Sequence, residues 1–155
     1  MMVDAGAPSG MTGALAYRPT PRLRLHAGVS HNLVGPGLRG GVAVRATTGR
    51  VSPTLSLEVG RFSEANAEWL AGAFDASTDT ATLRSMAYDY AGGHAGLEIG
   101  GRDAAFFVEV GATAINGTLY FDEMSEQSGV QRSVRTKSDL DFWTLSGRAG
   151  VLVWF

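Results

Sequence analysis

Apolar and polar residues alternate with a period of two over most of this 155-residue chain. Counting back from Phe155, the residues Val153, Val151, Ala149, Gly147, Leu145 and Trp143 share one parity and carry no charge. Trp154, Leu152, Gly150, Arg148, Ser146 and Thr144 share the other. Such alternation sends successive side chains to opposite faces of a strand. The stretch "RLRLHAGVS" sets Leu23, Leu25, Ala27 and Val29 against Arg22, Arg24, His26, Gly28 and Ser30. "GGVAVRAT" sets Val42 and Val44 against Ala43 and Arg45, and "TLSLEVGRF" sets Leu55, Leu57 and Val59 against Ser56 and Glu58. "HAGLEIG" sets Leu97 and Ile99 against His94 and Glu98, and "AFFVEVGATAIN" sets Phe106, Val108 and Val110 against Phe107 and Glu109. "TGALAYR" is a weaker copy, with Gly13, Leu15 and Tyr17 on the apolar parity. The pattern predicts seven strands, over residues 12–18, 21–33, 38–47, 51–63, 85–100, 103–121 and 138–155. Several reach the ~9–11 residues that a tilted strand needs to cross a bilayer.

The connections alternate in length. "RPTPR", "TTGRVSP" and "GGRD" are short, whereas "HNLVGPGLRGG", residues 64–84 and residues 122–137 are longer. Short turns at one end and longer loops at the other are the habit of outer-membrane barrels. This order leaves an odd strand at the start, where an even-numbered barrel needs one more. The opening "MMVDAGAPSG" also has neither the basic nor the apolar region of a signal peptide. One expectation covers both points: the chain starts at an internal Met, and residues 1–11 are disordered or a remnant. The alternative is that residues 1–10 form a poor strand of their own. In the long segment after residue 63, "SEANAEWLAGAFDASTD" allows one short helix, with Ser63 as its N-cap, Glu64 near its start and Trp69, Leu70 and Phe74 on it.

Period-two alternation does not say whether the apolar face meets a core or lipid. The polar parity does help. It carries mostly Gly, Ala, Ser and Thr with lone charges, which suits the narrow interior of an eight-stranded barrel. Those charges nearly balance: Glu58, Glu98 and Glu109 face Arg24, Arg45 and Arg148, with His26 and His94 beside them. Buried charges persist when they are paired and hydrogen-bonded. Tyr17, Tyr88, Tyr90, Tyr120, Phe121, Phe142, Trp143, Trp154 and Phe155 lie near strand ends, as in the aromatic girdles of membrane barrels. Arg61 and His31 fall on the apolar parity near a strand end, where a polar tip reaches the interface.

Composition points the same way. Charged residues make up 18% of the chain, below the ~25% of ordinary globular proteins. Lys137 is the only lysine among 13 basic residues, although exposed strands of soluble proteins are commonly guarded by lysine. The net charge of −2 supplies no basic field for nucleic acid. There is no cysteine, hence no disulfide or thiolate metal site.

The ending "SGRAGVLVWF" resembles the C-terminal targeting strand of bacterial outer-membrane β-barrels, with Phe155 last and Val153, Val151 and Ala149 at alternate positions before it. The strands "LRLHAGVSHN" and "LSLEVGRF" are similar in style to small OmpA-like or OmpX-like barrels. The likeness covers residues 12–155 in pattern and the last ten as a motif, with Trp154 in place of the usual polar penultimate residue. The resemblance implies residence in the bacterial outer membrane, contact with its lipid, insertion by the barrel-assembly machinery and a monomeric state.

Candidate chemistry is sparse. There is no P-loop and no dinucleotide fingerprint, and His26, His31 and His94 lack a metal-ligand spacing. Ser30 and His31, with Asp89 or Glu64 as an acid, are the ingredients of a hydrolytic triad, but neighbours on a strand point to opposite faces. The expectation is therefore an all-β, antiparallel up-and-down transmembrane barrel over residues 12–155, with seven strands visible of eight. Arg24, His26, Arg45, Glu58, His94, Glu98, Glu109 and Arg148 plug its interior. Its role is structural or in surface interaction, without catalysis, cofactor or metal. Two other readings stay open: a soluble antiparallel barrel or sandwich around a small apolar ligand, and a narrow pore or part of a larger porin-like barrel.

Overall fold

In a computed structural model, which describes residues 1–66, 81–101, 103–127 and 130–154, eight antiparallel strands close into one barrel in chain order. Side chains are described except at 64–66, 81–85, 120–127 and 130–136. The strands are β1 (Met2–Ala7), β2 (Gly10–Thr20), β3 (Leu23–His31), β4 (Pro36–Arg45), β5 (Val51–Asn66), β6 (Ala81–Gly100), β7 (Ala104–Gln127) and β8 (Val130–Val153).

The expectation of seven strands with the first one missing is wrong. Residues 2–7, expected to be disordered or a remnant, form β1, which pairs with β2 on one side and β8 on the other. Its sequence, "MVDAGA", is poor in β-branched and aromatic residues. Strand propensity is mostly a matter of neighbours, and here two neighbours present unpaired edges that β1 satisfies. The poor strand weighed as an alternative is the one that closes the sheet. Ser63 is likewise no N-cap, because β5 continues through Asn66. Trp69, Leu70 and Phe74 lie outside the described residues. The polar segment 122–137 is largely strand as well, with β7 and β8 paired from Ala104↔Val153 to Gln127↔Val130.

Register fixes the barrel's shape. The row of cross-strand partners Asp141, Asn116, Asp89, Arg61, Leu38, Val29, Gly13 and Val3 returns to β8 at Val151, ten residues beyond its start. A stagger of ten over eight strands corresponds to a tilt of about 43°. One end carries the turns between β2 and β3, β4 and β5, and β6 and β7; the expected contrast with longer loops is not general, because residues 8–9 and 32–35 link β1 to β2 and β3 to β4 just as briefly at the other end. The opposite end is uneven: β7 and β8 have 24 residues each, whereas β2 has 11 and β4 has 10. At that tilt the wall built on β7 and β8 rises ~30 Å above the β1–β4 rim. Because β1 ends at Ala7↔Gly147, the part of β8 before Gly147 has no β1 partner on that edge.

Polarity is inverted relative to a water-soluble domain. Leu15, Leu55, Leu57, Val59, Val110, Trp143 and Leu145 point outward and are exposed. Arg24, Glu58, Glu98, Glu109 and Arg148 point inward, none more than 5% exposed. On β5 the outward residues are apolar from Val51 to Val59 and then change to Arg61, a belt of about 20–25 Å along the barrel axis at this tilt.

Candidate functional site

Every strand sends at least one charged side chain into the barrel. Carboxylates come from β1 (Asp4), β5 (Glu58), β6 (Glu98) and β7 (Glu109). Guanidiniums come from β2 (Arg18), β3 (Arg24), β4 (Arg39 and Arg45) and β8 (Arg148). Each lies on the inward parity of its strand, so period-two geometry alone brings them together.

The groups form a ladder along the axis. Near the turn end, Glu98 accepts from Arg18 and from Arg24 Nη1 at 2.8 Å, and lies 3.3 Å from Arg45 Nε. Arg24 reaches on through Nη2 to Glu109 Oε1 at 3.2 Å. Glu109 and Arg148 are direct cross-strand partners, and Arg148 Nε donates to Glu109 Oε2 at 2.8 Å. Ser56 Oγ donates to the same oxygen at 2.8 Å. Arg148 then pairs with Glu58, which also accepts from Tyr90 Oη at 2.8 Å and lies 3.3 Å from His26 Nε2 and from Arg39 Nη1. Arg39 ends the ladder on Asp4 and on Ser9 Oγ at 3.2 Å. Near-equal opposing charge, with several hydrogen bonds per carboxylate, is what makes such burial tolerable.

Apolar groups close both ends. Met2, Ala14, Ala105, Phe107 and Leu152 pack together, with Ala16 and Trp154 against them. Phe107 also lies beside two guanidiniums, 5.1 Å from Arg24 and 5.9 Å from Arg148. Phe62, Tyr88, Tyr90 and Ile115 form the other cap, with Phe62 stacked on Tyr88 at 4.8 Å and on Tyr90 at 6.1 Å. Glycine makes room for these groups: a Cβ on Gly60 would sit 2.3 Å from the Tyr90 ring, and one on Gly41 would sit 2.7 Å from His26 Cε1. The lumen is therefore filled by side chains rather than open.

All eight residues assigned to the interior from sequence lie on inward positions. Arg24, His26, Glu58, Glu98, Glu109 and Arg148 share the ladder, and half-buried Arg45 joins it at the turn end. His94 stands apart: Ser146 Oγ lies 2.9 Å from its Nε2, and Thr113 Oγ1 donates to Ser146 at 2.9 Å. Sequence reasoning missed Asp4, Arg18 and Arg39. The aromatic girdle is only partly as expected. Tyr17 and Trp143 face outward, but Tyr88 and Tyr90 are buried in the upper cap, because they share the inward parity of His94 and Glu98. Trp154 is half-buried under the Arg18 guanidinium at 3.9 Å. Phe155 and the side chains of Tyr120 and Phe121 lie outside what the structure describes.

Ser30 is buried against Thr12 at 3.1 Å, whereas His31 is exposed on the outer face, so the two do not pair. Asp89 binds Arg61 on the outside through two hydrogen bonds, at 2.7 and 3.0 Å. The Ser146–His94 contact lacks an orienting acid, since His94 Nδ1 is buried without a hydrogen-bond partner. Among the described residues no three His, Asp or Glu side chains converge as a metal site. No family model, curated protein or solved structure matches the chain.

Proposed function

We propose that the chain is a small outer-membrane barrel of the bacterial type, with a structural or surface-interaction role. One observation carries this reading: the apolar belt faces out while the charges are enclosed. A row of exposed leucines and valines around a whole sheet would be an aggregation hazard in water; against acyl chains it is the favourable arrangement. Arg61 and Asp89 pair where the belt ends on β5 and β6, and Trp143 sits two residues below Asp141 on β8, consistent with an upper interface there. The tall β7–β8 wall supports a role at the cell surface. Insertion would go through the barrel-assembly machinery, with the C-terminal stretch Ala149, Val151, Val153 and Phe155 as its recognition element, and the barrel would work as a monomer without catalysis.

Cell fractionation with a heated and an unheated gel tests this. The expected result is a membrane-fraction protein whose mobility changes on boiling; recovery in the soluble fraction with one mobility would refute it.

A second reading, a soluble barrel around a small apolar ligand, shares the closed antiparallel sheet. Such a ligand would have to displace the paired charges or the aromatic cap, and the same fractionation separates the two readings. A narrow pore is disfavoured by the filled lumen.

A further inference from the structure

The two rims of the barrel differ in charge. At the uneven end the described exposed charges are mixed: Arg61, Lys137, Asp89, Asp139 and Asp141. At the turn end, exposed arginines occur in two adjacent turns, Arg22 between β2 and β3 and Arg50 between β4 and β5. Among the described residues Asp103 is the only exposed carboxylate at that rim. Glu98 lies beneath it, but is buried and already satisfied by Arg18, Arg24 and Arg45.

Neither Arg22 nor Arg50 uses its guanidinium on a described protein group. The turns that carry them are nevertheless fixed. Arg45 straps the pair, donating from Nη1 to Pro21 O at 3.4 Å and from Nη2 to Gly49 O at 2.9 Å. The backbone adds Arg45 N to Arg22 O and Gly100 N to Arg50 O, both at 2.8 Å. A hydrogen-bonded base thus carries Arg22 one residue from Leu23, the partner of outward Val44, and Arg50 one residue from outward Val51, the partner of Ile99, at the edge of the apolar belt. That is headgroup depth for a spanning barrel, and the planar fork of arginine suits two oxygens of one phosphate.

We propose that the turn-end rim is a binding surface for the phosphates of anionic glycerophospholipids, engaged by Arg22 and Arg50. This rests on the membrane reading above. Charge at the rim alone would serve a soluble polyanion equally well. The position of both arginines against the apolar belt favours lipid, because a phosphate there is met without leaving the interface.

The test uses the full chain folded into phosphatidylcholine vesicles, with insertion checked by the heated and unheated gel. Spin-labelled phosphatidylglycerol and phosphatidylcholine then report which lipid is immobilised at the barrel. The expected preference for phosphatidylglycerol is about two- to fivefold, the scale of one or two basic residues at an anionic interface. It should fall towards one in R22Q/R50Q and in high salt, and persist in R22K/R50K at reduced strength. No preference in the wild type, or an undiminished one in R22Q/R50Q, overturns the proposal. So does soluble polyphosphate binding the inserted barrel through the same two arginines while the labelled lipids show no preference. Failure to insert at all would instead refute the membrane reading, and the proposal with it.

Discussion

Replacing Leu57 by arginine separates a lipid-facing belt from a water-facing one. Leu57 points outward, 65% exposed, with Val42 and Gly93 as its cross-strand partners. It lies six residues from Val51 at the lower edge of the belt and four from Arg61 at the upper edge. With a rise of ~3.3 Å per residue and the barrel's tilt, those offsets are ~14 and ~10 Å along the axis, close to the midplane. A guanidinium there costs ~2–4 kcal/mol in a bilayer. The side chain can lean towards the level of Arg61, which favours the lower half of that range. In water the same change at an exposed site is worth no more than ~0.5 kcal/mol either way. The assay is equilibrium urea unfolding from vesicles, followed by tryptophan fluorescence, with Asn116→Arg as the reference. Asn116 faces outward beyond the belt, between Asp89 and Asp141, and should tolerate arginine. A midpoint for Leu57→Arg equal to that of Asn116→Arg would show that the outer face does not meet hydrocarbon.

Further outcomes follow from the interior. Glu58→Gln removes the counter-charge shared by Arg148 and Arg39, and should cost ~3–5 kcal/mol of unfolding free energy, the scale of breaking a buried pair. Phe107→Ala empties a fully buried ring site between two guanidiniums; ~3–5 kcal/mol is expected from the urea midpoint, with Phe107→Leu costing less. Gly111→Ala would bring a Cβ to 2.0 Å from Gly93 O, whereas Gly13→Ala meets nothing within 4 Å; only the former should lower the midpoint, by ~1–3 kcal/mol. Planar-bilayer recordings of the wild type should show no steady conductance through the filled lumen.

The candidate site was more legible in the sequence than the fold's limits. Parity puts Glu58, Glu109 and Arg148 on one shared face, because a strand's two faces are fixed by counting, and the small residues and balanced charges of that parity mark it as the inner one. Arg39 is within reach by the same count: it lies inside the strand expected over 38–47 and shares the parity of Gly41, Ala43 and Arg45, but the alternation in "GGVAVRAT" is counted only from Gly40. Arg18 likewise follows Ala14 and Ala16. The upper halves of β7 and β8 gave no such signal. The apolar side of the alternation ends on β7 and β8 with Ala114 and Trp143, after which Asn116, Asp139 and Asp141 take the outward positions, and above that level neither face needs to be greasy. Tyr88 and Tyr90 were misread for a related reason. Nearness to a strand end identifies a rim aromatic only if its parity is outward, and theirs is not.

β1 is the instructive failure. Nothing within "MVDAGA" argues for a strand, and its one charged residue, Asp4, reads locally as a turn former. The case for β1 is made by residues far away in the chain. Arg39 on β4 points across the lumen and pairs with Asp4, while the edges of β2 and β8 flank the gap with hydrogen-bonding groups at the level of the apolar belt. In the bilayer proposed above for that belt, an unpaired edge would be the costliest feature a sheet can have. Closure therefore outweighs the weak propensity of six residues, and the same demand that seals the edge delivers the carboxylate that completes the ladder.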